Sequence, residues 1–169
     1  ELPRAWHAEL QAHAVRQGLA FLSTAFDLGS LAFLRGLDIP FFKVPSGEIT
    51  NAPLLWQFAR SGKPLILSTG MATLADVELA LAVVSHGFLH EQEPASLDEV
   101  LRGWSLPGAR QALQGRVSLL HCTSQYPTPM AEVNLRAMDT LAAAFQLPVG
   151  YSDHTQGILI ALAAVARGA

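Results

Sequence analysis

The chain has 169 residues, half of them hydrophobic and 15% charged, with eleven basic and fourteen acidic side chains and a formal net charge of −3. That composition supports one ordinary domain with a sizeable core and excludes an intrinsically disordered chain. It holds no basic run that would suit nucleic acid, and its longest strongly apolar stretch, residues 158–166, is too short to cross a bilayer.

Short apolar β-type runs alternate with helical patterns. Residues 4–17 read as a helix stopped by Gly18, and 19–23 as a first strand. A brief helix over 29–36 precedes a strand at 41–44. Asn51 is placed to cap a helix over 52–60, with Pro53 tolerated in its first turn. A strand at 65–68 leads to Thr73 and Asp76, a capping-box pair opening a helix to about residue 85. Residues 86–116 form an insertion in which Ser96 to Glu99 repeats the capping pattern, so short extra helices are expected. A strand at 117–121, a helix from Asn134 to about 145, a strand at 149–151 and a helix over 157–167 complete the chain. Strand followed by helix, five times, predicts parallel strands with crossover helices.

Polar strings follow each strand: Ser23-Thr24, Lys43 to Glu48, Ser68-Thr69-Gly70, His121 to Ser124, and Ser152 to Thr155. Chemistry spread over all five strand ends favours a (β/α)8 TIM barrel over a doubly wound sheet. Such a barrel has eight units in about 250 residues. The chain also opens and closes on helix-like sequence without an initiator Met, so it reads as part of a longer protein. The single cysteine, Cys122, allows no intrachain disulfide and fits a reducing, cytoplasmic location.

Lys43 is one of two lysines and sits among Phe41, Phe42, Val44 and Pro45. A cation there calls for an anionic ligand, a Schiff-base role, or an escape to water along its stem. Glu48 suits a general acid or base, or a salt bridge to Lys43. Ser68-Thr69-Gly70 precedes a helix, as phosphate-binding turns do, although ordinary turns share that composition. His121 and His154 end two different strands, which suits metal or acid/base work, but no metal-ligand spacing links them. Cys122 reads as a small buried hydrophobe; His7, His13, His86 and His90 read as surface or packing residues. Tyr126, before Pro127, suits either a sugar platform or loop packing.

Four strings together resemble the sialic acid synthase (N-acetylneuraminate synthase) family: Lys43 to Ile49, Leu67 to Thr73, His121 to Pro127, and Gly150 to Thr155. The resemblance implies a TIM barrel of which strands three to seven are present, followed in the family by an antifreeze-like domain that lies outside this chain. It implies condensation of phosphoenolpyruvate with N-acetylmannosamine or a related N-acetylated aldehyde sugar, with release of phosphate. It further implies a divalent metal, Mn2+ or Mg2+, and a homodimer at full length. Carried over by motif, Thr24, Lys43, Ser46, Ser68, Ser124 and Ser152 line the phosphoenolpyruvate site. Ser124 stands where some members have Asn, and Ala25 where Pro is common. Glu48 handles a proton, Tyr126 faces the sugar, Asp153 orients its loop or contacts substrate, and His154 is a metal ligand. Neuraminic, legionaminic and pseudaminic precursors all fit this reading. Two rivals are a Schiff-base aldolase using Lys43 and a non-catalytic barrel scaffold.

Overall fold

A computed structural model describes residues 2–169. Four parallel strands form one sheet in chain order: β1 (Phe42–Val44), β2 (Leu65–Ser68), β3 (Val117–His121) and β4 (Val149–Tyr151). Lys43 pairs with Ile66, Ile66 with Ser118, and Leu120 with Gly150. Because side chains alternate across a strand, this register sorts the sheet into two faces. Phe42, Val44, Leu65, Leu67, Val117 and Leu119 are buried with the helices in one core. Lys43, Ile66, Ser118, Leu120 and Gly150 occupy the other face and are only half-buried.

The strand expected at 19–23 does not form. Leu19 N–H bonds back to Ala14 O, and no backbone bond ties 20–23 to the sheet. Leu19 and Leu22 stay exposed. Their apolar character suits a strand covered on both faces, and here neither a ladder nor a cover meets them. The segment is instead held by side chains: Ser23 Oγ lies 3.4 Å from His7 Nε2, and the His7 ring meets Phe21 edge-on.

Most helix signals are realised. Helix α1 (Arg4–Arg16) ends before Gly18, whose φ of +71° is the left-handed stop that glycine adopts readily. Helix α2 (Leu28–Arg35) is capped by Asp27, which accepts the Ser30 N–H at 2.8 Å, a cap beyond those expected from the sequence. Asn51 caps α3 (Ala52–Ala59) through the Leu54 N–H. Thr73 and Asp76 form the expected capping box of α4 (Leu74–Leu89), which runs one turn further than expected. Gly87 explains why α4 can continue there: a Cβ would fall 2.7 Å from Ala59 Cβ on α3.

The remaining insertion folds as α5 (Leu97–Trp104) and α6 (Pro107–Gln111), with Ser96 capping the first. Helix α7 (Arg136–Phe145) starts after Asn134 rather than on it. Asn134 takes φ +44° and gives no side-chain cap. Helix α8 (Leu159–Ala166) closes the series. Among the described residues no helix is long and apolar enough to cross a membrane.

Candidate active site

The polar strand ends meet at a cavity of about 360 Å³ on the half-buried face of the sheet. Lys43, Ser46, Ser68, Ser124, Tyr126, Ser152 and His154 all line it. They come from four successive strand ends, which parallel strands necessarily present on one side. Phe26, Pro45, Gly47, Met71, Cys122 and Thr123 complete the lining.

At the β1–β2 side the wall is tightly closed. Gly70 N–H donates to Ser46 Oγ at 3.0 Å, and Ser46 Oγ lies 3.2 Å from Cys122 Sγ. A Cβ on Gly70 would stand 2.9 Å from both atoms and 3.1 Å from Ser124 Oγ. The absent side chain is therefore what lets three strand-end groups converge. Beside them Ser68 is 1% exposed, and its buried hydroxyl has no hydrogen-bond partner among the described residues. An unsatisfied buried hydroxyl is costly unless a ligand or water meets it. Lys43 makes no ion pair among the described residues. Glu48 does not neutralise it: its Oε2 accepts from Asn51 Nδ2 at 2.8 Å. The wall thus offers a cation and hydroxyl groups with no fixed anion paired to the cation.

At the β3–β4 side the wall is a loop gripping a histidine. His154 Nδ1 lies 2.6 Å from the Thr123 carbonyl. A carbonyl can only accept, so Nδ1 is the donor, and in the neutral imidazole Nε2 keeps its lone pair. The Thr128 N–H donates to the His154 carbonyl at 2.8 Å, and Thr128 Oγ1 to Gln125 O at 2.9 Å. Ser152 Oγ stands 3.3 Å from Nε2, and the Tyr126 hydroxyl 3.2 Å.

This donor set fits one corner of a metal site. A ligating histidine commonly gives its second ring N–H to a carbonyl, as His154 does. No cluster of three or more His, Cys, Asp or Glu suited to a metal occurs among the described residues, so His154 would be one ligand of a larger set.

Other expected residues lie elsewhere. Thr24 lines a separate cavity with Arg4, His7 and Asp27, near α1 and α2. Asp153 does not line the candidate cavity; its Oδ1 accepts the Thr155 N–H at 2.8 Å and shapes the turn after His154. Glu48 sits in the 3-10 turn Ser46–Glu48, beside the cavity rather than on its wall. His121 lies on the helix-facing side of β3, where its Nε2 meets Val133 O at 2.8 Å, and it lines a neighbouring cavity with Arg136. The two strand-end histidines are therefore not a pair. Behind the wall, burial and the nearby Asp153 and Cys122 raise the Tyr151 hydroxyl above the usual tyrosine range.

The sequence reading missed Phe26 and Met71. Phe26 stands two residues after Thr24, on either side of the fully buried Ala25, but nothing in that short run marks it as a cavity residue. Met71 takes φ +65° and is exposed at the mouth; no sequence signal separates it from an ordinary helix-entry residue.

Solved structures with this fold are known. The chain matches the N-acetylneuraminic acid (sialic acid) synthetase of Leptospira borgpetersenii with a TM-score of 0.81 and 30% identity, over all of this chain and 50% of that one. A phospho-2-dehydro-3-deoxyheptonate aldolase of Thermotoga maritima, 16% identical with a TM-score of 0.71, shares the fold. The chain thus has the α/β parallel-sheet fold of TIM-barrel-like synthases.

The NeuB family model matches residues 1–169, and the chain belongs to the NeuB family. It is 47% identical over 169 residues to the N,N'-diacetyllegionaminic acid synthase of Campylobacter jejuni, covering 44% of that protein. It is 32% identical over 164 residues to the human N-acetylneuraminate-9-phosphate synthase, covering 38% of it. The chain therefore spans less than half the length of these curated relatives.

Proposed function

We propose that this chain carries part of the active site of a sialic-acid-type synthase that condenses phosphoenolpyruvate with an N-acetylated aldehyde sugar. The observation that carries the reading is the pairing of an unneutralised Lys43 with the buried, unpartnered Ser68 hydroxyl on one cavity wall. A small dianionic phosphate ester with a carboxylate is the kind of ligand such a wall suits. The 47% identity to a diacetyllegionaminic acid synthase favours a di-N-acetylated sugar as acceptor.

In this reading Lys43, Ser46, Ser68, Ser124 and Ser152 hold the phosphate and carboxylate and fix the direction of attack. The enol carbon forms the new bond to the aldehyde carbon, whose C=O electron pair moves to oxygen. Water adds at the phosphate-bearing carbon, and phosphate departs with the C–O electron pair. Glu48, in the same turn as Ser46, is assigned the proton transfer, for which its carboxylate must leave Asn51. Tyr126 is assigned to the sugar side and Asp153 to shaping the His154 turn; Thr24, at its separate cavity, is given no part in holding phosphoenolpyruvate. A divalent Mn2+ or Mg2+ with His154 among its ligands would polarise the aldehyde when bound.

The test is phosphate release by the full-length protein, supplied with phosphoenolpyruvate and a panel of N-acetylated sugars. Release that needs both substrates supports the reading; none with any sugar defeats it. A free lysine in the cavity is also what a Schiff-base aldolase needs. Trapping of pyruvate on Lys43 by borohydride would establish that reading instead.

A further inference from the structure

We infer that Tyr126 is a positioning residue for His154: its stacked ring holds the imidazole so that Nε2 is presented to the cavity. This rests on the metal-assisted reading above and deepens it, giving Tyr126 a role besides any contact with the sugar. The Tyr126 ring lies 4.1 Å from the His154 ring, centroid to centroid, at an interplanar angle of 26°. Tyr126 is nonetheless 74% exposed. Its place is therefore set by this stack and its own loop, and not by a surrounding core.

The rest of the grip on His154 leaves a gap that the stack fills. The bond from Nδ1 to the Thr123 carbonyl fixes one ring atom, and the Thr128 N–H fixes the backbone. Neither bond stops the imidazole plane from tilting about the line through Nδ1. A second ring lying nearly parallel does. The two hydroxyls near Nε2 are at 3.2 and 3.3 Å, longer than a strong O–H bond, so they yield readily to a better partner for the lone pair. The loop that carries Tyr126 is itself braced, because Thr123 Oγ1 and Thr128 Oγ1 are hydrogen-bonded and Thr128 is buried. Thr123, Tyr126 and Thr128 thus hold His154 by ring atom, ring face and backbone.

The experiment uses Mn2+ as the probe and the full-length protein, with Tyr126→Phe, Tyr126→Ala and His154→Ala variants. Calorimetry gives Mn2+ affinity, and imidazole 15N NMR of the metal-free protein gives the His154 tautomer. Outer-shell partners of a ligating histidine are worth about 10- to 100-fold in metal affinity, so Tyr126→Ala is expected to weaken Mn2+ about tenfold. Tyr126→Phe keeps the ring and is expected to stay within about twofold of the parent. The metal-free parent and both Tyr126 variants should show the Nδ1–H form, because the Thr123 carbonyl sets it.

The inference is overturned if Tyr126→Ala keeps its Mn2+ affinity, or if the metal-free parent lacks the Nδ1–H form. It is equally overturned if Tyr126→Phe loses as much as Tyr126→Ala, or if His154→Ala leaves Mn2+ binding intact. Phosphate release is scored separately. Tyr126-dependent Mn2+ binding without turnover of phosphoenolpyruvate would uphold this inference and defeat the functional reading.

Discussion

The two faces of the sheet are built from the same strands and obey opposite rules. On the helix side Phe42, Val44, Leu65, Leu67 and Leu119 are sealed at 0–1% exposure, and the Phe42 and Phe58 rings lie 5.6 Å apart. On the other side the alternate positions, Lys43, Ile66, Ser118 and Leu120, are half-open, and the polar groups at their ends leave ligand capacity unused. The first face holds the fold together by burial. The second leaves a cation unneutralised and a hydroxyl unsatisfied, and it is tolerable because the first supplies the stability.

Substitutions should separate the two faces, and the largest effect on stability belongs to the helix side. Phe58→Ala removes a fully buried ring and is expected to destabilise by about 3–5 kcal/mol in urea unfolding. Lys43→Met, on the open side, should lower phosphate release by about 100- to 1,000-fold, the size seen when one transition-state donor is lost. Its unfolding midpoint should hardly move, since no ion pair is broken. A Lys43 variant that lost stability instead of turnover would erase the distinction.

Gly70→Ala tests the seam where the faces meet. The new Cβ would press on Ser46, Cys122 and Ser124, and overpacking of this kind costs about 1–3 kcal/mol. Both stability and phosphate release should therefore fall, unlike either variant above.

The smallest effect concerns pH. Burial, and next the charge of His90, lower the pKa of His86 from its ordinary value of 6.5. The unfolded chain then takes up a proton more readily than the folded one below pH 6.5. The contribution to stability is fully present above that value and falls as pH drops through it toward the folded pKa. Urea midpoints measured from pH 7.5 to 5 should decline, and His86→Gln should flatten the decline.

Much of this was readable in the sequence, for reasons that differ by element. Thr73-Asp76 and Asn51 were legible because capping is a local bond between residues three apart. The four strands of the sheet were legible because each is a short apolar run followed by a polar string. The run 19–23 carried the same local signal and failed, since a strand also needs a partner and a cover that no local pattern supplies. The same limit applies to the site. Lys43, Ser46, Ser68, Ser152 and His154 could be placed on strand ends, and parallel strands bring those ends together. That Thr24 lies at another cavity and that His121 turns to Val133 depend on loop geometry and on partners further along the chain; Glu48 is taken by Asn51 only three residues away, but the capping signal of Asn51 points forward to Leu54 and does not mark that bond. The role of Gly70 also became visible only with Cys122 and Ser124 around it.

The central claim is that the open face binds phosphoenolpyruvate through Lys43 for condensation with a sugar. The measurement that tests it most directly is phosphate release by the full-length parent and its Lys43→Met variant, with phosphoenolpyruvate and a di-N-acetylated aldehyde sugar. The account predicts release by the parent only when both substrates are present, and a loss of about 100-fold or more in the variant. Equal release by parent and variant, or release that ignores the sugar, would contradict it.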